Sequence, residues 1–458
     1  MQKSQLSILG IFIWLSLSGC DKYLDKNADK SKIIPSTIED FKGLLNNNNI
    51  INNGGSSVAE AFADNYYLPL NLYTSITSES FRHAYIWGDL ILEGEAPSSA
   101  WSQMYQVAYY GNIIIDGLKK IDKSDYNETD WNYCYGAAHF MRAHVFFEVI
   151  SLWTGPYQKS TAKNQLGIPL RLNPDFNEQS IRSNLEESYE QVIADLKVAA
   201  QFLPVSVDHY SKTNKVAAYA LLSRVFLAQG NYNKSKTYAD SSLALYSRLI
   251  NYNTLNSSVN FPFTNTTTNP NLEIIFYSQS TITSVLATSR AIIDTNLFNS
   301  YQPNDLRRSL YFGTSTNGTK FFKGFYSGNG FVYKGLTVDE VYLNRAESLI
   351  RMGSWQDGLT DLNHLLTTRW KTSTFIPFTA INQEGALNIV LEERRKSLVY
   401  RGLRWLDLKR LNQDPQRMVT IKRILGNETY VLGPNDPRYA ALIPTSVIGI
   451  SGMQQNPR

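Results

Sequence analysis

VAAYALLSRVFLAQGNYNKSKTYADSSLAL, residues 216–245, is the stretch of sequence that decides the fold. Small and apolar residues recur in it every three or four positions, which is the spacing of the buried face of an α-helix. Gly230 interrupts the pattern near its centre, and Tyr232 follows shortly after. A glycine in the turn and an aromatic side chain just beyond it are typical of two helices that pack closely together. The stretch therefore predicts a helical hairpin.

The same pattern recurs at residues 338–366, where Gly353 precedes Trp355 as Gly230 precedes Tyr232. Weaker helical periodicity covers residues 104–118, continues at 131–152, and returns at 185–203. Because the intervals between these segments differ, the hairpins do not form a simple tandem solenoid. We expect a mainly α fold, in which tetratricopeptide-like helical hairpins form a scaffold that is interleaved with other elements.

Two regions, about 46–100 and about 251–335, have a different character. Both are rich in Asn, Thr, Ser, Gly and aromatic residues, and the second contains one strand-like run at residues 272–277. They predict loop-rich, irregular structure with a few short strands. Long loops on a helical scaffold are where binding sites usually lie. We expect the two irregular regions to meet in space and to form the ligand-binding face.

The N-terminus predicts export and lipidation. Residues 1–19 have one cation, Lys3, an apolar core at 6–17, and small residues directly before Cys20. The apolar core is shorter than the roughly 20 residues that a membrane-spanning helix needs, so it reads as a signal peptide. Cys20 is then the site of diacylglyceryl attachment, residues 20–32 form a lipidated tether, and residues 33–458 form a single domain.

Composition excludes several classes of function. The net charge is only +4 and is spread without long basic runs, so nucleic-acid binding is not expected. With Cys20 acylated, Cys134 is the other of two cysteines in the sequence and has no partner for an internal disulfide. The chain contains 28 Tyr, 21 Phe and 8 Trp, a composition that suits a surface for polar, ring-bearing or extended ligands.

No motif in the sequence points to catalysis. There is no nucleophile elbow, phosphate-binding loop or Cys–His arrangement, and no carboxylate pair stands out from the 40 acidic residues. His139 and His144 are five positions apart and fall on different faces of a helix, so they do not predict a zinc site. We expect a binding protein rather than an enzyme, with no cofactor and no metal site; bound calcium is possible but not indicated.

A series of motifs in the order of the chain resembles the SusD/RagB family of outer-membrane nutrient-binding lipoproteins of the Bacteroidetes. The matching stretches are residues 20–25 (CDKYLD), 153–156 (WTGP), 167–171 (GIPLR), the 216–245 hairpin, 305–307 (DLR), 340–347 (EVYLNRAE), 392–396 (EERRK), 402–410 (GLRWLDLKR), 443–444 (IP) and 455–457 (QNP). Each stretch alone is weak evidence, but together and in order they are specific. The chain departs from the family at its end, where Arg458 stands in place of the usual Gly and Tyr.

The resemblance implies a helical body with four tetratricopeptide-like hairpins that acts as a lid on a SusC-like TonB-dependent transporter. Such a protein is held at the outer membrane by its lipid, faces outward, captures a ligand and passes it to the transporter. An oligosaccharide is the expected ligand, and an oligopeptide is the alternative. A secreted glycoside hydrolase and a structural repeat adaptor are further alternatives from other classes.

Candidate ligand-binding residues lie in the first irregular region. Tyr85, Trp87 and Trp101 could stack on sugar rings, while side chains nearby could hydrogen-bond hydroxyl groups. The hydrogen-bonding candidates are Asn65, Arg82 and Asp89. Tyr66 and Tyr67 resemble a region near the pocket of family members that accompany peptide uptake. Core packing competes with binding as the role of Trp87, and it is favoured for Trp101, which lies four residues from Tyr105 at the start of a helix.

The many charged residues of segment 391–410 could indicate a functional site, but the spacing of these residues favours a structural role. Glu and Arg residues there recur three and four positions apart, and Trp405 and Leu408 fall between them. This pattern predicts a salt-bridged helix with an inward apolar face.

Overall fold

The computed structural model describes residues 35–90, 100–266 and 270–458. The signal peptide, Cys20 and the tether lie outside the described residues, so their assignment stays a prediction from the sequence. Within the described part of the chain, no helix is long and apolar enough to cross a membrane.

Long helices packed in chain order form the scaffold. They are α6 (Ala100–Leu118), α7 (Glu128–Trp153), α8 (Leu185–Phe202), α9 (Lys215–Ala228), α10 (Tyr232–Leu245), α13 (Val338–Arg351), α14 (Trp355–Thr367) and α15 (Gln383–Ser397). Each packs against the next, and α15 also contacts α13. The two hairpins that the sequence marks most clearly are therefore present, as α9 with α10 and as α13 with α14.

The hairpin of α9 and α10 shows why this sequence folds as it does. The Asn214 side chain caps α9 by accepting a hydrogen bond from the Ala217 N–H. Gly230 has a φ of 70°, a left-handed conformation that a side chain would disfavour. Where the helices cross, Ser235 Oγ donates to the Ser223 carbonyl at 3.0 Å, and both serines are fully buried. Small residues at the crossing thus permit the close approach.

Shorter elements fill the remainder of the described chain. The short helices are α1 (Ile38–Leu45), α2 (Asn48–Ile51), α3 (Val58–Phe62), α4 (Leu70–Thr74), α5 (Glu79–Ile86), α11 (Thr295–Ser300), α12 (Arg307–Tyr311), α16 (Arg404–Leu411) and α17 (Thr445–Ser451). The strands are β1 (Tyr66–Tyr67), β2 (Leu166–Pro169), β3 (Arg182–Asn184), β4 (Ile274–Phe276), β5 (Gln279–Ser280), β6 (Ile292–Ile293), β7 (Phe312–Thr314), β8 (Lys320–Phe322), β9 (Val332–Tyr333), β10 (Leu336–Thr337), β11 (Ile421–Leu425) and β12 (Glu428–Leu432). They form antiparallel pairs: β1 with β6, β2 with β3, β4 with β10, β5 with β9, β7 with β8, and β11 with β12.

The two irregular regions meet, as the sequence predicts. Strand β1 of the first pairs with β6 of the second. The Asn52 side chain donates to the Tyr277 carbonyl at 2.7 Å, and the Gln279 N–H donates back to the Asn52 carbonyl at 2.7 Å. These bonds join segments that are more than 200 residues apart in the chain, so the irregular regions pack against each other.

The aromatic residues mostly form a core and not a surface. One buried cluster fills the space between the long helices, and a second lies beneath the irregular regions. Aromatic rings dominate this second cluster: Tyr66, Tyr85, Tyr252, Phe263, Tyr301, Tyr311, Phe312, Phe322, Phe325, Tyr326, Tyr333 and Tyr400. The interpretation of the aromatic composition as a ligand surface therefore needs correction, because large rings here supply the apolar area that short strands and loops otherwise lack.

Segment 391–410 is structural, but it is not one helix. α15 and α16 are separated by a bend in which Tyr400 and Gly402 have φ values of 58° and 68°. Some ion pairs follow the predicted spacing, such as Arg410 with Asp407 at 2.8 Å. Others join distant elements: Arg410 also binds Glu347 on α13 at 2.6 Å. The charges serve tertiary packing as much as helix formation.

Glu347 provides a test of this packing. Burial alone would raise the pKa of this carboxyl group, but Arg410 and Arg351 hold it at about 2. In the unfolded chain the Glu347 carboxylate takes up a proton near pH 4.5, whereas in the folded protein it stays ionised to a lower pH. The free energy of unfolding should therefore fall as the pH drops from about 5 to about 2.

We expect Glu347→Gln to be less stable than the wild type at pH 6, since it leaves two arginines without their carboxylate. Its further loss on acidification should be smaller, by up to roughly 3 kcal/mol. Urea unfolding at pH 6, 4 and 3 measures both effects, with the exposed Glu392→Gln as the matched control. Equal acid sensitivity in the wild type and Glu347→Gln would contradict this account.

Candidate functional site

Three aromatic residues predicted to bind ligand surround a cation of the protein itself. The guanidinium carbon of Arg423, on β11, lies 5.0 Å from the ring centre of Tyr66, 4.3 Å from that of Tyr85 and 5.2 Å from that of Trp87. Arg423 also donates hydrogen bonds to the carbonyls of Ala63 and Tyr66. The three rings thus form an aromatic cage that the Arg423 side chain already occupies.

The polar atoms of these rings are engaged as well. Trp87 Nε1 donates to the Phe62 carbonyl at 3.1 Å, and the Tyr85 hydroxyl accepts from the Leu68 N–H at 2.8 Å. Tyr66 donates its hydroxyl hydrogen to the Ala61 carbonyl at 2.9 Å. All three side chains are 1% exposed. The expectation that Tyr85, Trp87 and Tyr66 contact ligand is corrected, because a buried ring facing Arg423 has no free face to offer.

The three polar residues predicted to bind ligand, Asn65, Arg82 and Asp89, do not lie together in one site. Asn65 is fully buried and donates to Glu60 at 2.8 Å, so its expected contact with a ligand is also corrected. Burial raises the pKa of Glu60 to about 7. Arg82 donates to the Ile76 carbonyl at 2.6 Å, and Asp89 forms a surface ion pair with Arg458 at 3.2 Å. The first contact is local, whereas the second joins residues 369 positions apart in the chain.

Tyr67 and Trp101 retain access to a ligand. Tyr67 is 41% exposed on β1, at the junction of the irregular regions. Trp101 is 6% exposed and packs edge-on against Trp153 at 5.0 Å, which agrees with the core role that its position favours. Its remaining surface nevertheless lines a cleft of ≈ 470 Å³, which we call the aromatic cleft.

One wall of the aromatic cleft is a row of rings along α6. Trp101, Tyr105 and Tyr109 are four residues apart, so their backbone positions lie about 6 Å apart along the helix axis and their side chains share one face. The rings of Trp101 and Tyr105 are 4.9 Å apart. Gln106 also lines this wall, and its side-chain amide has no hydrogen-bond partner in the described part of the chain.

The opposite wall is loop 171–180, which Arg171 holds in shape. Its guanidinium donates to the carbonyls of Asp175 and Glu178 and to Ser180 Oγ, all within the same loop. Phe176 projects from this loop and is 76% exposed, with its ring 4.6 Å from that of Tyr109. The loop therefore adds an aromatic ring that contacts the end of the row on α6.

A buried polar network fixes the loop to the helices. Asn112 on α6 donates to the carbonyls of Arg171 and Asn173, at 2.9 and 3.1 Å. Arg142 on α7 donates to the Asn112 side chain at 2.8 Å and binds Asp195 on α8 with both Nε and Nη2, at 2.8 and 2.7 Å. Although burial opposes it, hydrogen bonds from Arg142 and His139 lower the pKa of Asp195. Buried hydrogen bonds and an ion pair therefore hold the loop that lines the cleft.

His139 belongs to this network rather than to a metal site, because its Nδ1 lies 2.7 Å from Asp195. Among the residues that the structure describes, no group of three or more His, Cys, Asp or Glu side chains is arranged to hold a metal ion. Cys134 is buried, and burial raises the pKa of its thiol to about 12.

The sequence contained part of the signal for this cleft. The four-residue spacing of Trp101 and Tyr105 was visible, and Tyr109 continues it by one more step. Phe176 could not be found in this way, since nothing in its sequence context places it opposite Tyr109.

Comparison with known proteins agrees with this architecture. The model of a family described as "Starch-binding associating with outer membrane" matches residues 22–227, and the SusD family model matches residues 339–440. The chain belongs to the SusD/RagB family. Members of this family are carbohydrate-binding proteins associated with the outer membrane, and they bind substrates without catalysing their conversion.

Individual relatives are distant in sequence but close in fold. A SusD-like protein of Bacteroides ovatus is 25% identical over 150 residues, which cover 32% of this chain and only 25% of that protein. A SusD superfamily protein from Bacteroides thetaiotaomicron has a TM-score of 0.72 at 22% identity, covering 92% of this chain and 100% of that one. A SusD-like carbohydrate-binding protein from Bacteroides vulgatus has a TM-score of 0.69 at 20% identity, covering 91% and 96%. The mainly α fold is thereby confirmed.

Substitution of Trp87 tests whether this residue packs in the core or binds ligand. Trp87→Ala should lower the free energy of unfolding by about 3–5 kcal/mol, because it removes a large buried ring. The variant that remains folded should bind glycans as the wild type does.

Urea unfolding and calorimetric titration of the same preparation measure the two effects. Tyr126→Ala removes a fully exposed aromatic side chain and should change stability by no more than about 0.5 kcal/mol. A Trp87→Ala variant with unchanged stability and lost glycan binding would restore the original assignment.

Proposed function

We propose that this protein is a cell-surface lipoprotein that captures an oligosaccharide and delivers it to a SusC-like TonB-dependent transporter. The aromatic cleft is the observation that carries the proposal. Sugar rings present C–H groups on their faces, which pack on aromatic rings, and hydroxyl groups at their edges, which need hydrogen-bond partners. The cleft offers both kinds of contact.

The shape of the cleft favours an extended ligand. A row of rings on one face of a helix can contact successive units of a chain. Phe176 extends this row beyond Tyr109, while Gln106 and Asp175 provide polar groups in the cleft. Because Arg171 is bonded to its own loop, the cleft has no free cation among its described lining residues. This balance favours a neutral oligosaccharide.

The N-terminal sequence and the family support the proposed attachment and delivery. The lipid on Cys20 would anchor the chain in the outer membrane, since two or three acyl chains hold a protein firmly where one does not. A polar tether at residues 20–32 would let the body move relative to a transporter beneath it. The family's association with the outer membrane supports this arrangement.

Ligand binding should depend on the exposed rings of the aromatic cleft. We expect Tyr109→Ala and Phe176→Ala each to weaken binding of a neutral oligosaccharide about tenfold, the equivalent of ~1.4 kcal/mol. Both residues are accessible, so the variants should fold normally.

Calorimetric titration with a panel of neutral glycans, including maltooligosaccharides, measures the affinities, and Tyr126→Ala is the matched control for loss of an exposed tyrosine. Turnover of a glycan would contradict a pure binding role. Binding of oligopeptides with no binding of glycans would assign the alternative ligand class.

Anchoring should depend on Cys20. Cys20→Ser removes the thiol that accepts the lipid, so the variant should incorporate no labelled fatty acid and should leave the membrane fraction. Wild-type protein purified from outer membranes in mild detergent should carry a large TonB-dependent transporter with it. Metabolic labelling, fractionation and mass spectrometry test both points. A Cys20→Ser variant that is still lipidated, or wild-type protein recovered without a transporter, would contradict the proposal.

A further inference from the structure

A second cleft, of ≈ 470 Å³, lies mainly in the irregular region at about 251–335 and has the opposite character. It is formed by eight residues of segment 303–314 together with Ser257, Phe298, Lys320, Lys323 and Lys371, and we call it the basic cleft. α12 and strands β7 and β8 supply most of its walls. It shares no lining residue with the aromatic cleft.

Four cations line the basic cleft. They are Arg308, Lys320, Lys323 and Lys371, and none of them forms an ion pair within the described part of the chain. Arg308 and Lys320 both lie beside the ring of Phe298, at 4.7 and 5.0 Å from its centre. Lys320 Nζ also donates to Thr314 Oγ1 at 2.7 Å. The aromatic contact holds the two positive charges on the same side of the cleft.

Lys323 differs from the other three cations because it is buried. Its side chain is buried, with 8% of the residue exposed, yet it meets only carbonyl oxygens: Nζ donates to those of Ser257 and Val259. Burying a cation without a counter-charge is costly. Burial accordingly lowers the pKa of Lys323. An anion in the cleft would supply the missing charge.

The carboxylate that lines the basic cleft does not fill this role. Asp305 is fully buried and binds Arg307 through both oxygens, with Arg307 Nη2 at 2.7 Å. Lys396 lies 3.7 Å from Asp305, and Glu393 binds Arg307 at 2.6 Å. These two acids and two bases balance one another behind the cleft. The four lining cations therefore have no carboxylate partner in the described part of the chain.

We propose that the basic cleft binds a carboxylate or sulfate group of an acidic saccharide. The cations supply charge-assisted hydrogen bonds, and the ring of Phe298 offers an apolar face beside them. This inference rests on the proposed function as a glycan-binding protein and adds a second substrate class at a separate position. A cleft of this volume suits a short saccharide unit, whereas nucleic acid requires a longer basic surface.

Calorimetric titration of the full chain tests the proposal with oligogalacturonate, a sulfated oligosaccharide and neutral maltooligosaccharides as probes. We expect an acidic probe to bind more weakly as the salt concentration rises, and the neutral probe to be little affected. The double variant Arg308→Gln/Lys320→Gln should weaken acidic binding about tenfold or more. Both side chains are partly exposed, so this variant avoids the folding defect that Lys323→Gln could cause.

Two controls separate this proposal from the function proposed above. Lys163→Gln removes one charge from an exposed lysine elsewhere and should leave acidic binding unchanged. Tyr109→Ala should weaken neutral binding and spare acidic binding. If neutral glycans bind but acidic ones do not, the basic-cleft proposal fails and the proposed function stands.

Further outcomes would also overturn the proposal. Acidic binding that Arg308→Gln/Lys320→Gln leaves unchanged would place the acid group elsewhere. Capture of anionic phospholipid vesicles through these cations, without binding of acidic saccharides, would assign the basic cleft to a membrane surface.

Discussion

A buried group of two carboxylates and two arginines joins the helical scaffold to the irregular regions. Asp339 stands in the first turn of α13 and binds Arg401 at 2.9 Å, while Glu273 precedes β4 and binds Arg369 at 2.7 Å. Arg369 also lies 4.0 Å from Asp339, and the four charges sum to zero. Because removing one member would leave an uncompensated buried charge, these four residues fix how the loops sit on the helices.

Tyrosines complete this junction and explain the composition of the chain. The guanidinium carbon of Arg401 lies 3.5 Å from the ring centre of Tyr326, and that of Arg369 lies 4.1 Å from the ring centre of Tyr252. Tyr326 donates its hydroxyl hydrogen to Glu273 at 2.9 Å. A tyrosine can thus cover a buried cation with its face and satisfy a buried anion with its hydroxyl. Loops with little regular structure need such side chains, which is why so many rings lie inside.

Local patterns predicted the scaffold well and the site less well. The hairpin at 216–245 follows from helical periodicity and Gly230, both of which are readable within 30 residues. Trp87 is different, since its neighbour Arg423 is more than 300 residues away in the chain and no local pattern relates the two. A tryptophan among polar residues therefore looked like a ligand contact. Trp101 packs in the core, as its position in the helix favoured, and also lines the cleft, which includes Phe176 from another segment.

Both clefts rest on preformed buried networks, and this has a consequence for binding. Behind the aromatic cleft, the chain Asp195–Arg142–Asn112 holds the backbone of loop 171–180. Behind the basic cleft, the ion pair of Asp305 and Arg307 holds the start of α12. Strands β7 and β8 follow α12 in the chain, and β8 begins with Lys320. Walls fixed before a ligand arrives lose little conformational entropy when it binds. Weak individual contacts with sugar rings and hydroxyl groups can then yield useful affinity, which a surface of mobile loops could not provide.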